Sequence, residues 1–169
     1  MGKFIFGFIL GLSIIPVIVY LYFSTGAAPV ATSAQAMPFE KMLAHKALHA
    51  RVEKEMPPTV PLEPNLANFA AGAQVYIQNC AVCHGLPSQA GTAIARGMYP
   101  IPPQLFKGKG VTDDPAQETY WKVAHGIRMT GMPAFDPGLS ETRLWQVSLL
   151  LAKADQLPVE VQQTLAQAH

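Results

Sequence analysis

The sequence predicts an all-α protein, a small helical domain behind a single N-terminal membrane-spanning helix. Three observations predict it. Phe4 to Phe23 is a run of twenty residues without a charge. Downstream, helix start and stop signals recur around apolar residues at three- and four-residue steps. Nowhere does the chain show sustained strand alternation bounded by hairpin turns.

The uncharged run comes first in chain order. Only Gly7, Gly11, Ser13 and Pro16 interrupt it, and at about 1.5 Å per residue it can cross a hydrocarbon core of roughly 30 Å. A cleavable signal peptide is the competing reading, because Ala34-Gln35-Ala36 is a small-x-small site. That site lies well past the end of the run, and the run is longer than a typical signal core, so residues 1–23 read as an uncleaved anchor. Lys3 is the only cation ahead of the span, which agrees with a cytoplasmic N-terminus. Gly7 and Gly11 form a Gly-x-x-x-Gly pair that would let a second helix approach, although glycine is common in membrane helices in any case. Pro16 can kink the helix.

Residues 24–64 form a connector in three parts. Ser24 to Pro38 is uncharged and rich in Ala, Thr and Pro, the composition of an extended segment at the membrane interface. Over 39–56, Phe39, Met42, Leu43, Ala47 and Ala50 recur at helical steps, with Lys41, Lys46, Arg51, Glu53, Lys54 and Glu55 between them. This predicts an amphipathic helix too poor in core to stand alone, which must pack on the membrane surface, on the domain or on a partner. His45 and His49 stand four apart, but two histidines without a third ligand nearby read as solvated side chains and not as a metal site. Pro57-Pro58-Thr59-Val60-Pro61-Leu62-Glu63-Pro64 then reads as a stiff spacer, and the domain boundary belongs there.

Within the domain, residues 65–154, a helix is predicted from Leu66 to Asn79. Gly72 inside it costs about 1 kcal/mol relative to alanine, which a close helix crossing would explain. Asp114 can cap a second helix, with Pro115 in its first turn, Gln117 reaching back and Gly126 ending it. Ser140 caps a third, which carries Leu144, Val147, Leu150 and Leu151. Pro158 starts a short helix with Val161 and Leu165 in a C-terminal tail, residues 155–169. Some ninety residues make a small core on their own.

Chemistry concentrates in Cys80-Ala81-Val82-Cys83-His84, which holds the only two cysteines of the chain. Each thiol can add to one vinyl group of a haem, and the histidine that follows can reach the iron from the proximal side. A redox dithiol is the alternative, but the surroundings lack a βαβ pattern. Zinc would need two more good ligands at suitable spacing. A sixth ligand is offered by Gly131-Met132-Pro133, a turn segment that can fold over a haem and present one thioether, a soft ligand that favours reduced iron. A buried gap filler is the bland alternative for Met132, and the haem motif upstream favours the ligand. Met129, three residues away, is its main rival, and Met98 and His125 are weaker ones. Arg96, Tyr99 and Trp121 are candidate donors to the haem carboxylates, although Trp121 also reads as plain core and Arg96 as a solvated charge.

Residues from about Asn65 to Ala154 resemble a class I, mono-haem c-type cytochrome domain. The resemblance lies in Gly72-x-x-x-Tyr76-x-x-x-Cys80-x-x-Cys83-His84-Gly85, in Pro102-Pro103-Gln104-Leu105, in Thr130-Gly131-Met132-Pro133-Ala134-Phe135 and in Leu144-Trp145. It implies an all-helical fold around one covalently attached haem c, with Cys80 and Cys83 as thioether anchors, His84 proximal and Met132 distal. It also implies a hydrogen bond from the other nitrogen of His84 to a carbonyl of the proline stretch, assigned to Pro103. Gly72, Tyr76 and Trp145 would meet where the first and last helices cross. Leu149-Leu150-Leu151 departs from the pattern, replacing an aromatic frequent in the last helix.

Attachment of such a haem outside the cytoplasm, which the resemblance implies, places the domain on the periplasmic side of a bacterial cytoplasmic membrane, behind a single-pass anchor. Twelve Lys and Arg face eleven Asp and Glu, a balance that offers no one-signed docking field and no feature calling for nucleic acid. A nearly neutral, tethered domain fits short-range electron transfer to redox proteins: a quinol-oxidising complex, a terminal oxidase, a dehydrogenase or a reaction centre. It would serve as a carrier or as a subunit of an oxidoreductase complex, and not as an independent enzyme. The alternative is a haem protein with an open sixth position that binds a small gas.

Overall fold

The computed structural model describes residues 2–89, 91–107 and 114–168, so Met1 and His169, the ends of the first and last expected segments, lie outside it. The chain divides into two compact units, Met1–Leu43 and Ala44–His169. All regular elements among the described residues are helices.

The first unit is built on α1 (Gly2–Ser24), which contains Pro16. Its stretch Gly7–Ser24 has a mean hydropathy of 2.0 and is long and apolar enough to cross a membrane, with none of it buried by the protein. Ile15, Phe8 and Tyr20 are each about two-thirds exposed or more. A Cβ added at Gly7 or Gly11 would meet nothing within 4 Å, so this edge of the helix is open. After α1 the chain turns back on itself. Tyr22, Pro29, Gln35, Ala36, Met37 and Pro38 surround a hollow of about 420 Å³, which brings Pro38 to the last turn of the apolar helix. Phe39 adopts φ 64°, and the Glu40 carboxylate accepts from the Met37 N–H at 2.8 Å.

Helix α2 spans Glu40–Glu55. Its buried residue is Val52, 2% exposed, whereas Phe39, Met42 and Leu43 are 70%, 53% and 59% exposed. Val52 lies nine residues beyond Leu43, half a turn out of phase at 3.6 residues per turn. The apolar stripe read from the sequence is therefore not the buried face. Burial falls on the opposite side, where a single valine outweighs the periodic but exposed stripe.

The second unit is organised by α3 (Leu66–Asn79) and α7 (Glu141–Ala152), which cross closely, with α6 (Ala116–His125) packed on α7 and α8 (Val159–Gln167) on α3. Asn65 caps α3 by accepting from the Asn68 N–H at 2.9 Å, and Ser140 caps α7 through the Arg143 N–H at 3.4 Å. The crossing explains Gly72. A Cβ there would collide with the Gln146 carbonyl, whose carbon is 2.8 Å away, and would press on Leu150. The residue against Gly72 is thus Gln146, while Tyr76 and Trp145 share the surrounding core. Leu149, Leu150 and Leu151 are all buried, so the leucine run fills the core where an aromatic would have stood.

The start of α6 differs from expectation. Its cap is Pro115, with no side-chain cap bond. Asp114 instead takes the Lys122 ammonium at 3.0 Å, which also meets Glu118 at 2.6 Å. A half-buried ammonium one helical turn from Glu118 attracts that carboxylate more strongly than a backbone N–H does. Packing also reaches beyond residues 65–154 on both sides. Val60 and Leu62 of the Pro-rich segment lie against the core, and Val161 and Leu165 of α8 are each 1% exposed within it.

Candidate haem site

Helix α3 delivers Cys80 at its C-terminal end, and the chain re-enters a single helical turn, α4 (Ala81–His84). The His84 N–H bonds back to Cys80 O at 2.9 Å, so the motif is wound as one tight turn. Gly85 leaves it with φ 74°, a conformation that favours glycine. The Tyr76 hydroxyl donates to Gly85 O at 2.6 Å, tying the exit of the motif to the helix that enters it. Burial, followed by the nearby Cys80, raises the Tyr76 pKa, so this hydroxyl stays a donor.

His84 Nδ1 lies 2.7 Å from Pro103 O. A carbonyl can only accept, so Nδ1 carries the proton and Nε2 keeps its lone pair. Burial lowers the His84 pKa, and the Pro103 bond offsets this only in part. The ring is neutral, oriented and ready to act as a ligand, as a backbone partner on the second nitrogen makes it. Gln104 secures that partner. Its amide donates to Leu86 O at 2.8 Å, and its carbonyl accepts from the Phe106 N–H at 2.7 Å. Phe106 in turn meets the Tyr76 ring edge-on at 4.8 Å.

The Cys80 thiol is pushed up to about 12, chiefly by burial and secondarily by Cys83. A dithiol redox centre needs the reverse, a lowered pKa that supplies thiolate. Among the described residues no group of three or more His, Cys, Asp or Glu side chains is placed to hold a metal.

The Met132 segment folds over the end of α6. The Phe135 N–H bonds to Val123 O at 3.1 Å and the Ile127 N–H to Met132 O at 3.2 Å. The Met132 N–H donates to Thr130 Oγ1 at 3.1 Å. Met132 is half-buried against the core, whereas Met129 is 91% exposed at φ 63°. Gly126, at φ +66°, lies so close that a Cβ would stand 2.6 Å from Ala134 N and from Pro133 C. The Met98 side chain occupies the place where a Cβ of Gly131 would fall. His125 is exposed and lies edge-on to Trp121 at 5.2 Å.

Two buried donors fit a bound haem. The Nε1–H groups of Trp121 and Trp145 have no hydrogen-bond acceptor among the described residues, and an acidic group nearby would satisfy such donors. Trp145 is fixed by stacking on Tyr120, centroids 4.1 Å apart. Arg96 is already engaged. It is exposed, and its guanidinium donates to Gly91 O at 2.7 Å. Sequence reasoning did not find Gln104 or the Met98–Gly131 contact. The only local signal was the position of Gln104 directly after Pro102-Pro103.

An all-helical domain with Cys-x-x-Cys-His wound as one turn and its histidine locked by a proline carbonyl has the build of a c-type cytochrome. Residues 67–149 match the family model described as cytochrome C oxidase, cbb3-type, subunit III, and no curated protein matches the chain. This segment is a c-type cytochrome domain, an electron-transfer module that carries covalently attached haem c and works with redox partners.

Proposed function

We propose that the protein is a single-pass membrane cytochrome whose haem c is anchored by Cys80 and Cys83, held axially by His84 and Met132, and used to pass single electrons to or within a terminal oxidase. The observation that carries the distal assignment is the contrast between Met132 and Met129. The Met132 backbone is pinned through both its N–H and its carbonyl and its side chain lies against the core, while Met129 is 91% exposed. A ligand held in place costs less to order than one recruited from solvent. Bound haem supplies a one-electron couple at its iron. The chain's own residues do the rest. Pro103 keeps the His84 proton on Nδ1, Gln104 keeps the Pro103 loop in position, and Gly126 lets the Met132 segment close over α6. Trp121 and Trp145 offer N–H groups to the haem carboxylates. Arg96, bonded to Gly91, serves better as a strut of its loop.

The family description, naming an oxidase subunit, favours the oxidase among the partners considered; α1 supports attachment to a membrane, and covalent haem attachment outside the cytoplasm favours the periplasmic side of a bacterial cytoplasmic membrane. Co-purification with an oxidase at fixed stoichiometry after detergent extraction identifies a permanent subunit, and loss of the oxidase identifies a tethered carrier. The ligand assignment is tested by the sulfur-to-iron charge-transfer band in the oxidised visible spectrum. Met132→Leu is expected to abolish the band and lower the potential by on the order of 100 mV, while Met129→Leu leaves both unchanged. A wild type that lacks the band and binds carbon monoxide readily would instead have an open sixth position and bind gas.

A further inference from the structure

Phe39, directly before α2, and Met42 and Leu43 in its first turn are turned to solvent, 70%, 53% and 59% exposed. These three residues belong to the same compact unit as α1. Within that unit the chain folds back so that Pro38, directly before Phe39, lines one hollow with Tyr22 from the last turn of the apolar helix. Ser24 ends the stretch that can cross a membrane, and Tyr22, packed edge-on against Phe23 at 5.4 Å, is of a residue type enriched at membrane–water boundaries. Phe39 therefore starts beside the Tyr22 end of the apolar helix.

The polar residues suit the same location. Lys41 stands on the polar face, roughly 160° round the helix from Leu43 at about 100° per residue. Glu40, the one carboxylate in this stretch, is taken up by the Met37 N–H. Long lysine stems can lie along an apolar surface while their ammonium groups reach phosphate. Phe, Met and Leu opposite a lysine, next to a membrane span, make an interfacial helix of the kind that lies in the headgroup layer.

We propose that the first turn of α2 lies in the headgroup region of the membrane, with Phe39, Met42 and Leu43 inserted and Lys41 on anionic phospholipid, as a second membrane contact beside α1. This rests on α1 spanning the membrane, and the test separates the two. The haem-loaded full-length protein, its own cysteines closed as thioethers, is labelled with an environment-sensitive fluorophore at Leu43→Cys or at Ile14→Cys. It is reconstituted in phosphatidylcholine–phosphatidylglycerol vesicles. Quenchers carried on lipid acyl chains are then compared with aqueous iodide.

Both labels are expected to respond to the lipid quencher, the Leu43 label at least about twofold more than to iodide, and Lys41→Glu should erode that preference. A Leu43 label quenched by iodide while the Ile14 label stays protected overturns the second contact and leaves the anchor standing. A Leu43 label shielded from both quenchers overturns it in favour of a protein partner. An Ile14 label open to iodide removes the anchor and this inference together.

Discussion

On the His84 side of the haem motif, the contacts run from rigid element to rigid element. Tyr76 of α3 holds Gly85, Pro103 holds the imidazole, and Gln104 joins the proline loop to Leu86. On the Met132 side a loop is laid over the end of α6 and held by backbone bonds of 3.1–3.2 Å, with Gly126 beneath it. The first arrangement runs side chains of Tyr76, His84 and Gln104 onto the main-chain carbonyls of Gly85, Pro103 and Leu86. The second depends on a close backbone approach that tolerates no added atom. The difference locates where such a domain can be adjusted: distal changes should move ligation first, and proximal changes should move stability first.

The largest effect is expected where α3, the support of the proximal side, crosses α7. Gly72→Val places atoms against the Gln146 carbonyl, which as backbone cannot swing away. We expect a loss on the order of 4 kcal/mol in denaturant unfolding of the holoprotein, with the charge-transfer band retained in whatever remains folded. Gly126→Ala tests the distal side. Positive φ and contact with Ala134 N should cost about 2 kcal/mol, and the band should weaken with a gain in carbon monoxide binding before the domain unfolds. If stability fell with ligation unchanged, the distal loop would not be the sensitive side. The smallest effect belongs to Gln104→Ala, which removes two hydrogen bonds. At about 0.5 kcal/mol each for part-buried bonds, the loss should lower the unfolding midpoint slightly while leaving the visible spectrum intact.

Much of this was legible in the sequence because it is local. The Cys80–His84 turn, the Ser140 cap and the helix starting at Leu66 are each specified within a few residues. Gly72 announced a close crossing, since little else makes a glycine worth its cost inside a helix. The Pro103 partner followed from resemblance and is present at 2.7 Å. What could not be read is long-range. Val52 is buried against the apparent periodicity of α2, and Asp114 prefers Lys122 to capping. Val60, Leu62, Val161 and Leu165 complete a core from outside the expected domain limits. The Met98–Gly131 contact joins residues more than thirty positions apart, and no spacing rule links them.

The carbonyl that holds His84 belongs to the main chain, next to a proline whose own nitrogen has no proton to offer elsewhere. A partner of this kind cannot rotate away or change protonation when the charge at the far ring nitrogen changes by one. Its dipole is already set before the electron arrives. In the language of electron-transfer rates, His84, were it to hold the iron as proposed, would contribute little reorganisation energy, and exchange with a partner would then be limited by distance and docking, not by motion within the site.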